Sequence, residues 1–287
     1  DGHLPAADTA AFYLAKTETE VLEYVAEQEV QRVMPGNNPI DGTNAKIMPY
    51  DKDVGIMAQY YFNNNSADKE LEKRIILMLY GNALAYNSAN NMPNPGAFQT
   101  YPHQRNYALF AYDKVYNSSY WNTLTASAGK DVRAVVENWF LDIADYIYTV
   151  CYLPSAEGKM LGNVDPYYMN SYIGTAIILN KPDMVRNGIE MFDTFLSNTY
   201  WYADGWWCEL SVNYGNQAAL NGYAMLPMMN LYRDPPDYVD TKLGLKLDGS
   251  LNFYERWPVM NKMKILSPLY RYPNGTMVPI GDTHPTE

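Results

Sequence analysis

The stretch GKDVRAVVENWFLDIADYIYTVC, Gly129–Cys151, decides the fold class. Val132, Val135, Val136, Trp139, Phe140, Ile143, Ile147 and Val150 recur along it at i, i+3, i+4 and i+7. That spacing lays apolar side chains along one face of a 3.6-residue helix, whereas a strand alternates with period two. The same spacing joins Leu14, Val21, Leu22 and Val25, then Leu71, Ile75, Met78 and Leu79, then Val185, Ile189, Phe192 and Leu196. Working outward, helices are expected near 8–33, 51–63, 67–87, 103–117, 129–151, 166–179, 182–198, 211–232 and 250–265.

The breaks between them carry turn chemistry: MPGNNPIDG (34–42), NMPNPGAF (91–98), NKPD (180–183) and YRDPPD (232–237). Helix, short break and helix again is the pattern of antiparallel helical hairpins, and a series of them closes readily into a toroid. No sequence repeat argues for a regular solenoid. The expected fold is all-α, an incomplete (α/α) toroid of five to six hairpins over residues 1–268. Beyond it, residues 269–287 form a β-type junction, because LYRYPNGTMVPIGD places an Asn274-Gly275 turn between short β-type runs. A lone hairpin is marginally stable, so this one either packs on the helical body or opens a β domain outside this chain.

Composition narrows the partners. With 287 residues and 47% hydrophobic content the chain can bury a large core. A formal net charge of −11 and the absence of any Lys/Arg run argue against nucleic acid and anionic membranes. No apolar run reaches the roughly 18 residues of a membrane span. The N-terminal DGHLPAADTAAF lacks the basic-then-apolar signal pattern and reads as a mature or trimmed start. Cys151 and Cys208 can pair as one disulfide; with only His3, His103 and His284 beside them, they offer no zinc-ligand spacing. The 27 tyrosines and 6 tryptophans suit either core edges or a sugar-binding groove.

One segment carries more polar and aromatic groups than a helix start needs. In ADGWWCELSVNYGNQAALNGYAM, Ala203–Met225, a single oxygen on Ser211 or Asn213 suffices as a cap, yet Tyr214, Gln217 and Asn221 also share one helix face. That face is uncharged and rich in amides, which suits a partner with many hydroxyls, the inside of a bundle, or plain solvent.

This segment resembles the "DG…E.S..Y" stretch of the heparinase II/III-like and alginate-lyase-like polysaccharide lyases, whose catalytic tyrosine falls at Tyr214. Three further segments agree in order. YPHQRNYALFAYDKVY (Tyr101–Tyr116) looks like that superfamily's "AYD..Y" helix. GKMLGNVDPYYMNSYIGTA (Gly158–Ala176) looks like the loop that supplies a catalytic asparagine, about fifty residues before the tyrosine. YPNGTMVPIGDTH (Tyr272–His284) resembles the "DG..P..GD" junction from helical toroid to β-sheets. The resemblance covers roughly residues 100 to 284. It implies a secreted or periplasmic lyase acting on an anionic, uronic-acid-containing polysaccharide, with Tyr214 and Asn163 catalytic. No cofactor is implied, and any metal would belong to the β domain, which is absent or barely begun here. The chain departs from the family in having no histidine between His103 and His284. Either the tyrosine works alone or the base lies on a segment outside this chain.

The chemistry asks for these residue types. The C5 proton of a uronate is too weakly acidic to remove until the adjacent carboxylate is neutralised and the enolate-like charge stabilised, which neutral amide donors can do. Asn163 leads for that role, with Asn170 and Asn216 behind it. A tyrosine passes a proton to the leaving oxygen and, as tyrosinate, removes the C5 proton; with an ordinary pKa near about 10 it needs a nearby cation, for which Arg105 and Arg271 are available. His103, Gln104 and Arg105 can line a groove that binds carboxylates or hydroxyls. Trp206 and Trp207 can stack on sugar rings, Glu209 can orient the Tyr214 helix or bind sugar, and Gln217 can contact substrate. Two alternatives remain open: a toroid glycoside hydrolase drawing its carboxylate pair from Asp165, Asp204 and Glu209, and a glycan-binding protein without catalysis.

Overall fold

The structure is a computed structural model that describes residues 5–33, 50–85, 101–153, 161–163 and 165–280, with backbone alone at 28–33, 50–52, 85, 101–105, 150–151 and 264–268. The chain separates into two compact units, Asp1–Asp145 and Tyr146–Glu287. The described residues are helical and contain no strand, only isolated antiparallel bridges between Trp201 and Trp207 and between Arg271 and Met277.

In the first unit the helices are α1 (Ala6–Leu14), α2 (Glu18–Val33), α3 (Tyr50–Asn63), α4 (Lys69–Ala85), α5 (Tyr101–Val115), α6 (Tyr120–Ala128) and α7 (Val132–Tyr146). The helix expected over 8–33 is two helices. Thr17 caps α2: its backbone N–H and hydroxyl donate to Glu20 Oε2 at 2.7 and 2.8 Å, while Glu20 N–H donates back to Thr17 Oγ1 at 3.3 Å. That reciprocal capping box stops the apolar run from continuing as one helix. The unexpected α6 ends on Gly129, whose φ of 67° lies in the left-handed region open to glycine. From Asp131, which accepts the Ala134 N–H at 3.0 Å, α7 then buries Val132, Val136, Trp139, Phe140 and Ile143 as its spacing predicts. Among the described helices the most extensive packing is α2 on α4 and α3 on α5. Val21, Val25, Val54, Met57, Leu71, Ile75 and Met78 are wholly buried there.

The second unit opens with a π-helical turn, Ile147–Tyr152, continuing from α7. Then follow α8 (Asp165–Ile178), α9 (Pro182–Phe195), α10 (Val212–Ala224), α11 (Leu226–Leu231), the short α12 (Phe253–Arg256) and α13 (Val259–Leu269). The NKPD break works as read: Asn180 takes φ 51°, Lys181 N–H closes on Ala176 carbonyl at 2.8 Å, and Pro182 starts α9. This turn folds α9 back on α8, and a Cβ at Gly188 would stand 2.9 Å from Ile173, so only glycine permits that approach. Val185, Ile189, Phe192 and Phe195 are buried along the inner face of α9, each stabilising the unit by about 1.5–3 kcal/mol. The helix expected over 211–232 breaks at Met225, with Pro227 in the first turn of α11.

Residues 232–252 follow without regular structure, held by a buried cation. Arg186, 0% exposed, donates to both Asp234 oxygens at 2.6 and 2.7 Å, to Asp240 at 3.0 Å and to the Leu245 carbonyl at 2.9 Å. The Asn274-Gly275 turn forms as expected, with Tyr272 N–H on Thr276 carbonyl and Val278 N–H on Tyr270 carbonyl. This hairpin packs on the helices of its own unit: Met277 is buried, and the Trp206 and Tyr270 rings meet at 4.1 Å.

Candidate functional site

The local sequence before α10 builds its entry angle. Trp201 and Trp207 pair across a tight turn in which Gly205 takes φ 91°. Trp207 is 1% exposed and packs against Phe195, Tyr200 and Trp201, so its ring belongs to the core. Its indole N–H donates to Glu209 at 2.7 Å, which gives that carboxylate a structural partner. Trp206 spends its ring on Tyr270. Cys208 carries a free thiol, pushed up by burial and by the Glu209 charge, so no disulfide forms through it. Ser211 then caps α10 by accepting the Tyr214 N–H at 3.3 Å.

Tyr214 is half-buried in the first turn of α10, three residues before Gln217 on the same face. No hydrogen bond among the described residues reaches its hydroxyl. Gln217 is the hub. Its Oε1 accepts from Asn163 Nδ2 at 2.7 Å, and its Nε2 donates to the Tyr167 hydroxyl at 3.4 Å. An amide nitrogen has two N–H groups, so Gln217 uses one of Asn163's donors and fixes the plane in which the other points. Asn163 itself sits in a closed turn: Gly162 N–H donates to Asp165 Oδ2, and Asp165 N–H donates to Gly162 carbonyl at 3.2 Å. Burial pushes the Asp165 carboxyl up to about 6, the Gly162 N–H works against that rise, and the Glu209 charge adds to it.

Beside this network lies a groove of about 760 Å³, lined by Tyr167, Asn213, Asn216, Gln217, Asn221, Tyr223 and Arg271, with Leu220, Met263 and Met277 among its apolar contacts. Among the described residues no lining side chain is a carboxylate and the charged one is Arg271, within a protein of net charge −11. Arg271 donates to its own turn at Gly275 carbonyl, 2.7 Å, and no ion pair engages it among the described residues. Asn216 reaches Met277 Sδ at 3.8 Å. Asn170 lies beneath, 6% exposed, tying α8 to α10 by donating to Asn221 carbonyl at 2.7 Å. Asn170 Oδ1 and Asn221 Nδ2 are buried without hydrogen-bond partners. Tyr223 is committed elsewhere, since its hydroxyl donates to Met260 carbonyl and burial pushes the phenol well up.

Of the residues singled out in the sequence, Asn216, Gln217 and Arg271 line one groove, while Asn163 reaches it only through its hydrogen bond to Gln217 and Tyr214, one turn before Gln217, is not among the lining residues. Trp206, Glu209 and Asn170 have partners in the surrounding scaffold. The side chains of His103, Gln104 and Arg105, on α5, lie outside the described residues, as does His284. Tyr167 was not singled out; its signal was the i+4 spacing from Asn163 in GNVDPYY. Among the described residues no group of three His, Cys, Asp or Glu side chains could hold a metal, and no helix is long and apolar enough to cross a membrane. Compared with known proteins, the chain matches no family model, no curated protein and no solved structure.

Proposed function

We propose that this chain carries the helical catalytic part of a polysaccharide lyase that cleaves a uronic-acid-containing polymer by β-elimination outside the cytoplasm. The observation that carries the reading is the hydrogen bond of Asn163 to Gln217, one turn from Tyr214, where Gln217 lines a groove that holds Arg271 and, among the described residues, no carboxylate. A polyanion approaching a protein of net charge −11 needs a locally favourable cleft. The amides, phenols and Arg271 guanidinium among the groove's described residues suit that need.

In the reaction, the remaining N–H of Asn163 binds the uronate carboxylate and stabilises the charge that builds on it as the C5 proton leaves. Gln217 acts as a positioning residue, because it sets the Asn163 amide plane. Tyr214, as phenolate, removes the C5 proton, the C–H electron pair becomes the C4–C5 double bond, the C4–O bond breaks with its pair on the glycosidic oxygen, and that oxygen takes the proton from Tyr214.

A hydrolase reading draws on the neighbouring carboxylates Asp165 and Glu209, the first pushed up to about 6 as a general acid would be. Neither lines the groove, nor do Asn163 and Tyr214, so the lining does not separate the two readings. The two readings part in one assay. Elimination produces an unsaturated, ultraviolet-absorbing uronate that Tyr214→Phe abolishes; hydrolysis produces reducing ends without that absorbance. A glycan binder produces neither.

A further inference from the structure

We propose that the first unit carries a site of its own, a cavity that binds a neutral sugar through its hydroxyls. The site does not depend on the elimination reading, because every residue lining it lies between Tyr116 and Arg133. The cavity, about 530 Å³, sits where the turn from α5 to α6 meets the start of α7. Asp131 and Arg133 both line it, two residues apart, yet no ion pair joins them or engages either one among the described residues. Each is held by other contacts instead. Arg133 donates to the Tyr116 carbonyl and lies over the Tyr116 and Trp121 rings, its guanidinium carbon 4.8 and 5.5 Å from their centroids. Trp121 is fixed in turn, its indole N–H on the Val115 carbonyl at 2.9 Å. Asp131 caps α7 through Oδ1, on the Ala134 N–H at 3.0 Å, which leaves Oδ2 as an acceptor. Guanidinium and carboxylate are thus ordered by the fold with hydrogen-bonding capacity to spare, so a ligand need not supply the cost of ordering them.

Amides and a hydroxyl complete the lining. No hydrogen bond among the described residues engages the side chains of Asn117, Ser119 or Asn122. Ser119 stands immediately before α6 and does not cap it. Ser118 takes that role by accepting the Tyr120 N–H at 3.1 Å, and its own hydroxyl donates to Glu72. A sugar hydroxyl both donates and accepts, so neighbouring hydroxyls of one pyranose satisfy such a mixture: one donates to Asp131 Oδ2 while the next accepts from Arg133. Tyr116, 43% exposed, adds an aromatic surface for the C–H side of the ring. An anionic ligand fits less well, because the Asp131 carboxylate lines the same cavity as Arg133 and repels it.

The test is affinity electrophoresis of the full chain in native gels containing galactomannan, xyloglucan, mixed-linkage β-glucan or soluble starch, with mobility read against a gel without polysaccharide. At least one of these uncharged polymers retards the wild-type chain. Its dissociation constant rises about 10-fold in Asp131→Asn, which keeps a capping oxygen for α7, and in Asn122→Ala, at an exposed position of α6. Both variants melt at the wild-type temperature, and Arg271→Gln, altered in the groove, is retarded as the wild type is. Should either variant melt lower, Ser119→Ala decides in its place: it removes a hydroxyl that caps nothing and weakens retardation about 5-fold. Retardation by none of the four polymers, by polygalacturonate alone, or unchanged in any of these cavity variants overturns the proposal. So does its loss in Arg271→Gln, which would place the binding in the groove.

Discussion

The tyrosines of residues 1–145 and those around the groove of residues 146–287 differ in what their hydroxyls meet. In the first unit Tyr13 donates to Asp53 at 3.0 Å, Tyr61 to Glu72 and Tyr112 to Glu137. Burial first, then the accepting carboxylate, pushes Tyr61 and Tyr112 well above the ordinary phenol range. Such a phenol is a fixed donor: its proton is held by a neighbouring charge and neither leaves nor transfers readily. Glu72 shows the same economy, gathering Tyr61, Ser118 and Lys69 on one carboxylate. In the groove the Tyr167 hydroxyl accepts from the amide of Gln217, and among the described residues no carboxylate lines the cavity. The first unit's tyrosines thus anchor carboxylates by donating, whereas a phenol at the groove accepts from an amide.

The largest expected effect sets one class against the other. Tyr214→Phe lowers kcat for uronate elimination by about 100-fold to 10,000-fold with little change in melting temperature. Tyr61→Phe does the reverse, leaving turnover intact and costing about 1–3 kcal/mol in urea unfolding, the worth of a hydrogen bond to a charged group. Activity loss in Tyr61→Phe with full stability would break the comparison.

Next in size is the buried cation of the second unit. Arg186→Met leaves Asp234 and Asp240, 9% and 1% exposed, without their countercharge, and should cost about 3–5 kcal/mol in urea unfolding. Burial raises Asp240, but the N–H groups of Leu243, Leu245 and Lys242 together with Arg186 outweigh it and hold the carboxyl at about 2. Its folded pKa is depressed, so its stabilisation is present above the unfolded value of about 4 and is lost as pH falls toward about 2. The wild-type chain should therefore lose stability across that acid window.

Asp165 has the opposite sign. Its folded pKa, about 6, stands above the unfolded value of about 4, so its ionisation costs stability increasingly as pH rises through that interval. Asp165→Asn keeps an oxygen for the Gly162 N–H and removes the charge. It should be about 1–2 kcal/mol more stable than wild type above pH about 7, with the gap closing below pH about 4. A constant difference across pH would contradict the buried, uncompensated carboxylate. The smallest effect concerns Arg271 in the groove. Arg271→Gln should weaken binding of a uronate oligomer by about 10-fold and flatten its salt dependence, read by calorimetry at two ionic strengths, while leaving a neutral oligosaccharide unaffected.

Much of the architecture was legible because it is written locally. The face of α7 follows from valine, tryptophan and isoleucine spacing, and the α8–α9 turn from Asn180, Lys181 and Pro182. The break between α1 and α2 was equally present as Thr17 and Glu20, but the apolar spacing from Leu14 to Val25 runs straight across it and masks the capping box. The short α6 offers only Tyr120, Trp121 and Leu124 as buried positions, too few for a periodic signal. The site was legible in its parts and not in its wiring. Tyr214, Asn163 and Gln217 stood out as residue types, yet the Asn163–Gln217 hydrogen bond spans 54 positions and exists only because α8 packs on α10. The same holds for Arg271, which reaches the groove through a hairpin turn, and for Trp207, whose burial no local pattern announces.

The most direct test of elimination is to incubate the purified chain with alginate, glycosaminoglycans, ulvan and bacterial uronate polymers and follow the ultraviolet absorbance of the C4–C5 double bond. A rise with at least one polymer, abolished in Tyr214→Phe, is the expected result. New reducing ends without that absorbance, or a rise undiminished in Tyr214→Phe, would contradict it.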